Sequence, residues 1–177
     1  MAKPRHLSRA PIVEAVIDFR ARSPGELDLQ VFGKLAGSLG QGYAAAKDIN
    51  LFEIGWKQSP GKKFESREVD HGRIGCRYES TDGKHIAQFR KDGFTFSRLA
   101  PYTRWEEVFG EASRLYRVFV EVGQPEEITR IAVRYINRLP LPETDVGDFS
   151  KYLTAPPRSP GEVPAFLTGF LTRVQIQ

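Results

Sequence analysis

Two Asp-Gly pairs, Asp82-Gly83 and Asp92-Gly93, stand ten residues apart between stretches in which apolar and polar residues alternate. Asp-Gly suits a two-residue hairpin, because both central positions of a type I′ turn need positive φ. Arg73 to Ser80, Lys84 to Lys91 and Phe94 to Leu99 therefore read as a three-stranded antiparallel meander. The rest of the chain has to be arranged round that sheet rather than round parallel βαβ units.

The flanking segments extend it. Ala10 to Ala21 reads as a first strand, with Val13, Ala15, Ile17 and Phe19 on one face and Glu14, Asp18 and Arg20 on the other. Ser23-Pro24-Gly25 closes it. From Glu26 to Leu39 the period changes: Leu27, Val31, Leu35 and Leu39 recur every four residues and Phe32 widens the stripe, which predicts an amphipathic helix. Gly33 and Gly37 each cost such a helix about 1 kcal/mol relative to Ala, so burial of the stripe has to hold it, and Gly40 and Gly42 end it. Leu51 to Trp56 and Lys63 to Asp70 predict two further strands, separated by Ser59-Pro60-Gly61.

Thr103 opens a second helix, with Glu106 completing a capping box. Trp105, Val108, Phe109, Ala112, Leu115, Tyr116 and Phe119 form its apolar side, and Gly123 and Pro125 stop it. Ile128 to Leu139 is a long strand, stopped by Pro140-Leu141-Pro142. Val146 to Leu153 reads as a short helix and the proline-rich Ala155 to Pro164 as a loop. Ala165 to Gln177 returns to a strand-like pattern and ends without a turn, so the natural chain is expected to continue. The expected fold is α+β: an antiparallel sheet in β-α-β meander-α-β order, two main helices packed on it, and one domain over residues 1–177.

Composition narrows the function classes. With 40% hydrophobic and 27% charged residues the chain is globular rather than disordered. Nothing approaches the run of about 18 apolar residues that a membrane helix needs, and the basic stretch Met1 to Arg9 has no apolar core behind it. No membrane partner is expected. Cys76 is the one cysteine, which rules out an internal disulfide or a Cys-cluster zinc site and points to the cytoplasm. A net charge of +4 permits nucleic-acid binding without requiring it.

Catalytic signatures are missing. There is no phosphate-cradling G-x-x-x-x-G-K-[ST], no G-x-G-x-x-G after a strand, no G-x-S-x-G elbow and no His-Glu-x-x-His. His71 and His85 with Asp70 or Asp82 offer a conceivable metal set, but hairpin histidines at the solvent edge are the favoured reading, and no metal or cofactor is expected. Cys76, inside a strand, reads as a small buried side chain rather than a nucleophile. Glu14 and Asp18 share a face about 13 Å apart by strand rise, with Val16 between them, which is too far for an acid/base dyad.

Two positive features remain. Arg130, Arg134 and Arg138 share one face of the last long strand with Ala132 and Ile136 between them, and Ile131, Val133, Tyr135, Asn137 and Leu139 form the other. Such a basic ridge suits phosphate or an acidic partner; the favoured alternative pairs the arginines with Glu14, Asp18 and helix carboxylates. At the strand-to-helix junction Phe96 to Trp105, Arg98, Tyr102 and Arg104 interleave with aromatics in the manner of a single-strand nucleic-acid site. There too the structural reading is favoured, with Phe96 and Trp105 as core anchors.

Pro11-Ile12-Val13-Glu14-Ala15-Val16, then Phe96-Ser97-Arg98-Leu99 with Pro101-Tyr102 and Trp105, then Arg134-Tyr135-Ile136-Asn137-Arg138 with Pro140, resemble in order the motifs of a sporadically distributed family of uncharacterised bacterial proteins. The resemblance runs to about residue 160 and implies a further β-rich half, an accessory or defence-type locus, and no particular activity, cofactor or catalytic residue. The expected function is a non-enzymatic module that binds a protein partner, such as one encoded nearby. The alternatives are nucleic-acid binding through the arginines, and an enzyme of phosphoryl or nucleotide chemistry with Glu14, Arg134 and Asn137 lining a deep pocket.

Overall fold

Strands β1 (Ile12–Arg22), β2 (Lys47–Lys57), β3 (Glu65–Glu79), β4 (His85–Arg90), β5 (Gly93–Leu99) and β6 (Glu127–Asn137) form one antiparallel sheet in the order β2-β3-β4-β5-β1-β6. The structure, a computed structural model, describes residues 7, 9–23, 25, 27–40, 42–57, 65–140 and 149–152, with 56–57 and 65–67 as backbone only. The chain divides into two units, Met1–Arg138 and Leu139–Gln177. The sheet belongs to the first; the described part of the second includes a 3-10 turn, Phe149–Lys151, inside the expected helix at Val146 to Leu153. The expectations for Ser59-Pro60-Gly61, Ala155 to Pro164 and Ala165 to Gln177 lie outside the described residues. Among the described residues no helix is long and apolar enough to cross a membrane.

β3, β4 and β5 form a meander, but its turns are not of type I′. Positive φ falls on Gly83 (68°) and Gly93 (144°) alone, and neither Asp82 nor Asp92 shares it. The aspartates act through their side chains instead: Asp82 accepts from the Lys84 N–H at 3.0 Å, and Asp92 accepts from Arg90 at 2.9 Å and from Arg20. The two strands expected over Lys63 to Asp70 and Arg73 to Ser80 are one, the 15-residue β3. The chain passes Gly72 at φ 68°, and the ladder to β2 shifts register on both sides of Asn50. The irregularity is absorbed as a bulge rather than a turn.

The segment Glu26 to Leu39 is not one helix. It is a 3-10 turn, Leu29–Lys34, followed by the four-residue α1 (Ala36–Leu39). Asp28 caps the turn by accepting from the Gln30 N–H at 2.9 Å. The break has a cause underneath it. The buried Tyr78 hydroxyl donates to the Phe32 carbonyl at 2.7 Å and accepts from the Leu35 N–H at 3.1 Å, taking groups a continuous helix would pair with itself. The apolar stripe still buries Phe32, Leu35 and Leu39.

α2 (Trp105–Gly123) is the one long helix among the described residues. Its residues Val108, Ala112, Leu115 and Phe119 are buried against a core that includes Ala15, Ile17, Phe89, Phe94 and Phe96. The expected Thr103–Glu106 capping box does not form. Arg104 is the N-cap, without a side-chain cap bond, and it is Glu107 that hydrogen-bonds Thr103 and Arg104. Gln124, left-handed at φ 41°, closes the helix by donating to the Val120 carbonyl at 3.0 Å.

Strands about 4.8 Å apart make a six-stranded sheet roughly 29 Å wide, whereas one helix with its side chains is about 10 Å across. α2 packs on β5 and β1, and the 3-10 turn packs on β3 and β4. Among the described residues that leaves the two edge strands, β2 and β6, without a helix packed closely on them.

Candidate functional site

The consequence is a groove beside α2. Ile131, Val133 and Tyr135 of β6 lie opposite Phe19, Ile17 and Ala15 of β1, and directly opposed residues share a face, so the three point to the α2 side of the sheet. On α2, Trp105, Phe109, Tyr116 and Val120 fall within about 60° of helix circumference at roughly 100° per residue. Two contacts aim that arc at β6. Tyr116 stacks on Phe19 with ring centroids 4.3 Å apart, and Phe19 is the ladder partner of Ile131. At the other end Tyr102 meets Tyr135 edge-on at 5.8 Å. The floor and wall are open: Ile131 is 64% exposed, Val133 48%, Tyr135 41%, Phe109 47%, Val120 38% and Trp105 36%.

The groove ends in a cleft of about 900 Å³ lined by Leu7, Ile12, Tyr102, Trp105, Glu106 and Tyr135. Trp105 is thus no core anchor; it stacks on Phe109 at 5.3 Å with an interplanar angle of 21° and is exposed. Burial, with the hydrogen bond to Tyr135, pushes the Tyr102 phenol up to about 12, so it stays neutral and polar at any ordinary pH. Phe96 is fully buried, as a core anchor is.

The opposite face of the sheet is polar. Asp18, 5% exposed, accepts from Thr95 Oγ1 at 2.7 Å and from Arg130 at 2.6 Å, and Arg20 and Arg90 stand 3.3 and 3.6 Å away. Burial works against its charge, but these hydrogen bonds and cations outweigh it and hold the carboxyl below its usual 3.8. Arg134 lies opposite Val16 on this face and is exposed, and among the described residues it has no ion pair. Arg138 follows the end of β6 and donates its backbone N–H to Pro11. Asn137 pairs with Ile12 beside a bulge, and Glu14 lies half-buried between Leu99 and Ile136. The structure therefore places Glu14, Arg130 and Arg134 on one face, with Asn137 across the bulge from Glu14.

The junction residues also part company. Arg98 is 8% exposed; it donates to the Pro101 carbonyl at 3.1 Å and meets His85 Nε2 at 2.9 Å. Arg104 is paired with Glu107 at 2.7 Å. Burial and then the Arg98 charge hold His85 below its usual 6.5, so the ring is the acceptor of that bond. His71 pairs instead with Glu53 at 2.9 Å, and no metal-holding group of three or more His, Cys, Asp or Glu occurs among the described residues. Cys76 is fully buried, and burial pushes its thiol up.

A second cavity of about 530 Å³, near His85, is lined by Tyr43, Ser80, Asp82, Glu111 and Arg114. Glu111 takes two hydrogen bonds from Arg114 and one from Tyr43, so the polar groups there satisfy one another. Sequence reasoning missed this cluster, whose members lie far apart in the chain. It also took Trp105 for a core anchor, although one signal was readable: many strands and few helices cannot all be covered. Comparison with family models, with curated proteins and with solved structures finds no match to the chain.

Proposed function

We propose that the chain is a non-enzymatic interaction module that engages a protein partner through the groove between α2 and β6. The observation that carries this reading is the row of six large apolar side chains exposed side by side: Trp105, Phe109, Val120, Ile131, Val133 and Tyr135. Soluble chains seldom leave so much contiguous apolar surface without a use for it, and Trp and Tyr are the residues that anchor protein interfaces. The arginines invoked for nucleic acid are mostly engaged elsewhere, Arg98 with His85, Arg104 with Glu107 and Arg130 with Asp18. The same reading places the chain in the cytoplasm, where its free buried Cys76 stays reduced. Capture of host proteins on wild-type chain and on the Ile131→Glu/Val133→Glu variant tests the proposal. A stoichiometric partner held by the first and lost from the second is expected; one held equally by both would put the interface elsewhere.

A further inference from the structure

We propose that the partner binds as an extended strand added to the free edge of β6, with apolar side chains toward the groove and acidic side chains on the other face. This rests on the groove being the interaction surface and adds the form and chemistry of the occupant. β6 is 11 residues long and is an edge among the described residues, so one side of its backbone offers N–H and C=O groups to a neighbour. A strand paired there sets its side chains about 5 Å from those of β6 on both faces of the sheet at once.

Both faces have something to recognise. Toward α2 the row is Ile131, Val133 and Tyr135. On the other face the row is Arg130, Ala132, Arg134 and Ile136, with no carboxylate among them. Asp18 already serves Arg130, Arg20 and Arg90, and among the described residues Arg134 has no ion pair, although Glu14 shares its face, so it has room for an incoming anion. A helix laid in the groove would meet the apolar row alone. A second copy of this chain, paired through the same row, would bring further arginines to that face and no carboxylate for Arg134. An alternating apolar and acidic strand satisfies the backbone edge, the apolar row and Arg134 together.

Fluorescence anisotropy of the full chain with a labelled nine-residue peptide alternating valine and glutamate tests the inference. Saturable binding is expected, at least about tenfold tighter than to the valine–lysine counterpart and weakened by salt. Arg134→Glu should reverse the preference for glutamate over lysine, and N-methylation of alternate peptide nitrogens, in one of its two phases, should abolish binding. Equal binding of the glutamate and lysine peptides, indifference to both N-methylation phases, or no binding of the glutamate peptide would overturn the inference. A valine–glutamate peptide patterned as a helix separates the two levels. If that peptide binds, is lost in Val133→Glu and ignores Arg134→Glu, the groove remains the interface and the added strand is wrong.

Discussion

Arg130 reaches across the β1–β6 ladder to Asp18 at 2.6 Å, while Arg134, four residues further along the same face, stands opposite Val16. The two arginines look alike in the sequence, and the structure gives them opposite roles. Asp18→Asn would take from Arg90, whose side chain is 12% exposed, one of its two carboxylates and leave it Asp92 at 2.9 Å. Removing one partner of a buried ion pair costs about 3–5 kcal/mol; Asp92 remains, Asn keeps the shape and Arg130 and Arg20 reach solvent, so a loss of about 1–2 kcal/mol in urea unfolding is expected. Arg134→Ala should change stability by no more than about 0.5 kcal/mol.

Asp18 also fixes the acid limb. Its folded carboxyl is held below 3.8, so its contribution is present above the unfolded value and is lost as pH falls through the lower folded one. Wild-type stability should therefore drop as pH falls through and below about 4, with the part owed to Asp18 missing in Asp18→Asn. Unfolding free energies across that range check it.

His85 acts at higher pH. Its folded value lies below 6.5, so the unfolded chain takes up the proton first as pH falls, and stability declines from about pH 7 downward until the folded ring also protonates. His85→Gln should flatten the profile from about pH 7 downward. An unchanged profile would mean that burial and the Arg98 charge do not hold the ring neutral.

Gly93 is required by its backbone. At φ 144° an added Cβ would stand 2.0 Å from the Phe19 carbonyl oxygen, so Gly93→Ala must distort the β1–β5 ladder. A loss of at least about 3 kcal/mol is expected, read by thermal melting against Gly37→Ala, where a Cβ meets nothing within 4 Å.

The sequence is most informative where local chemistry decides structure. Asp82-Gly83 and Asp92-Gly93 mark the meander because Gly supplies a positive φ and Asp a side-chain acceptor at each turn, and the alternation of β1 puts Ala15 and Ile17 in the core. It is least informative where a distant group decides. Nothing near Phe32 or Leu35 announces that the Tyr78 hydroxyl divides their helix. Nothing in the run Ile131, Val133, Tyr135 distinguishes a covered strand from a bare one, because the pattern records a face and not what lies over it. Thr103 and Glu106 have the spacing of a capping box, yet Glu107 takes the Thr103 bond with Arg104 beside it.

The central claim is that the groove between α2 and β6 is where a partner sits. The most direct measurement replaces Val133 with a photoreactive phenylalanine in the full chain, irradiates it in the native host, and compares it with the same group at exposed Arg117. A single dominant cross-linked protein from position 133, absent from position 117, is the predicted result. Cross-links from position 133 no richer than those from position 117 would contradict the account.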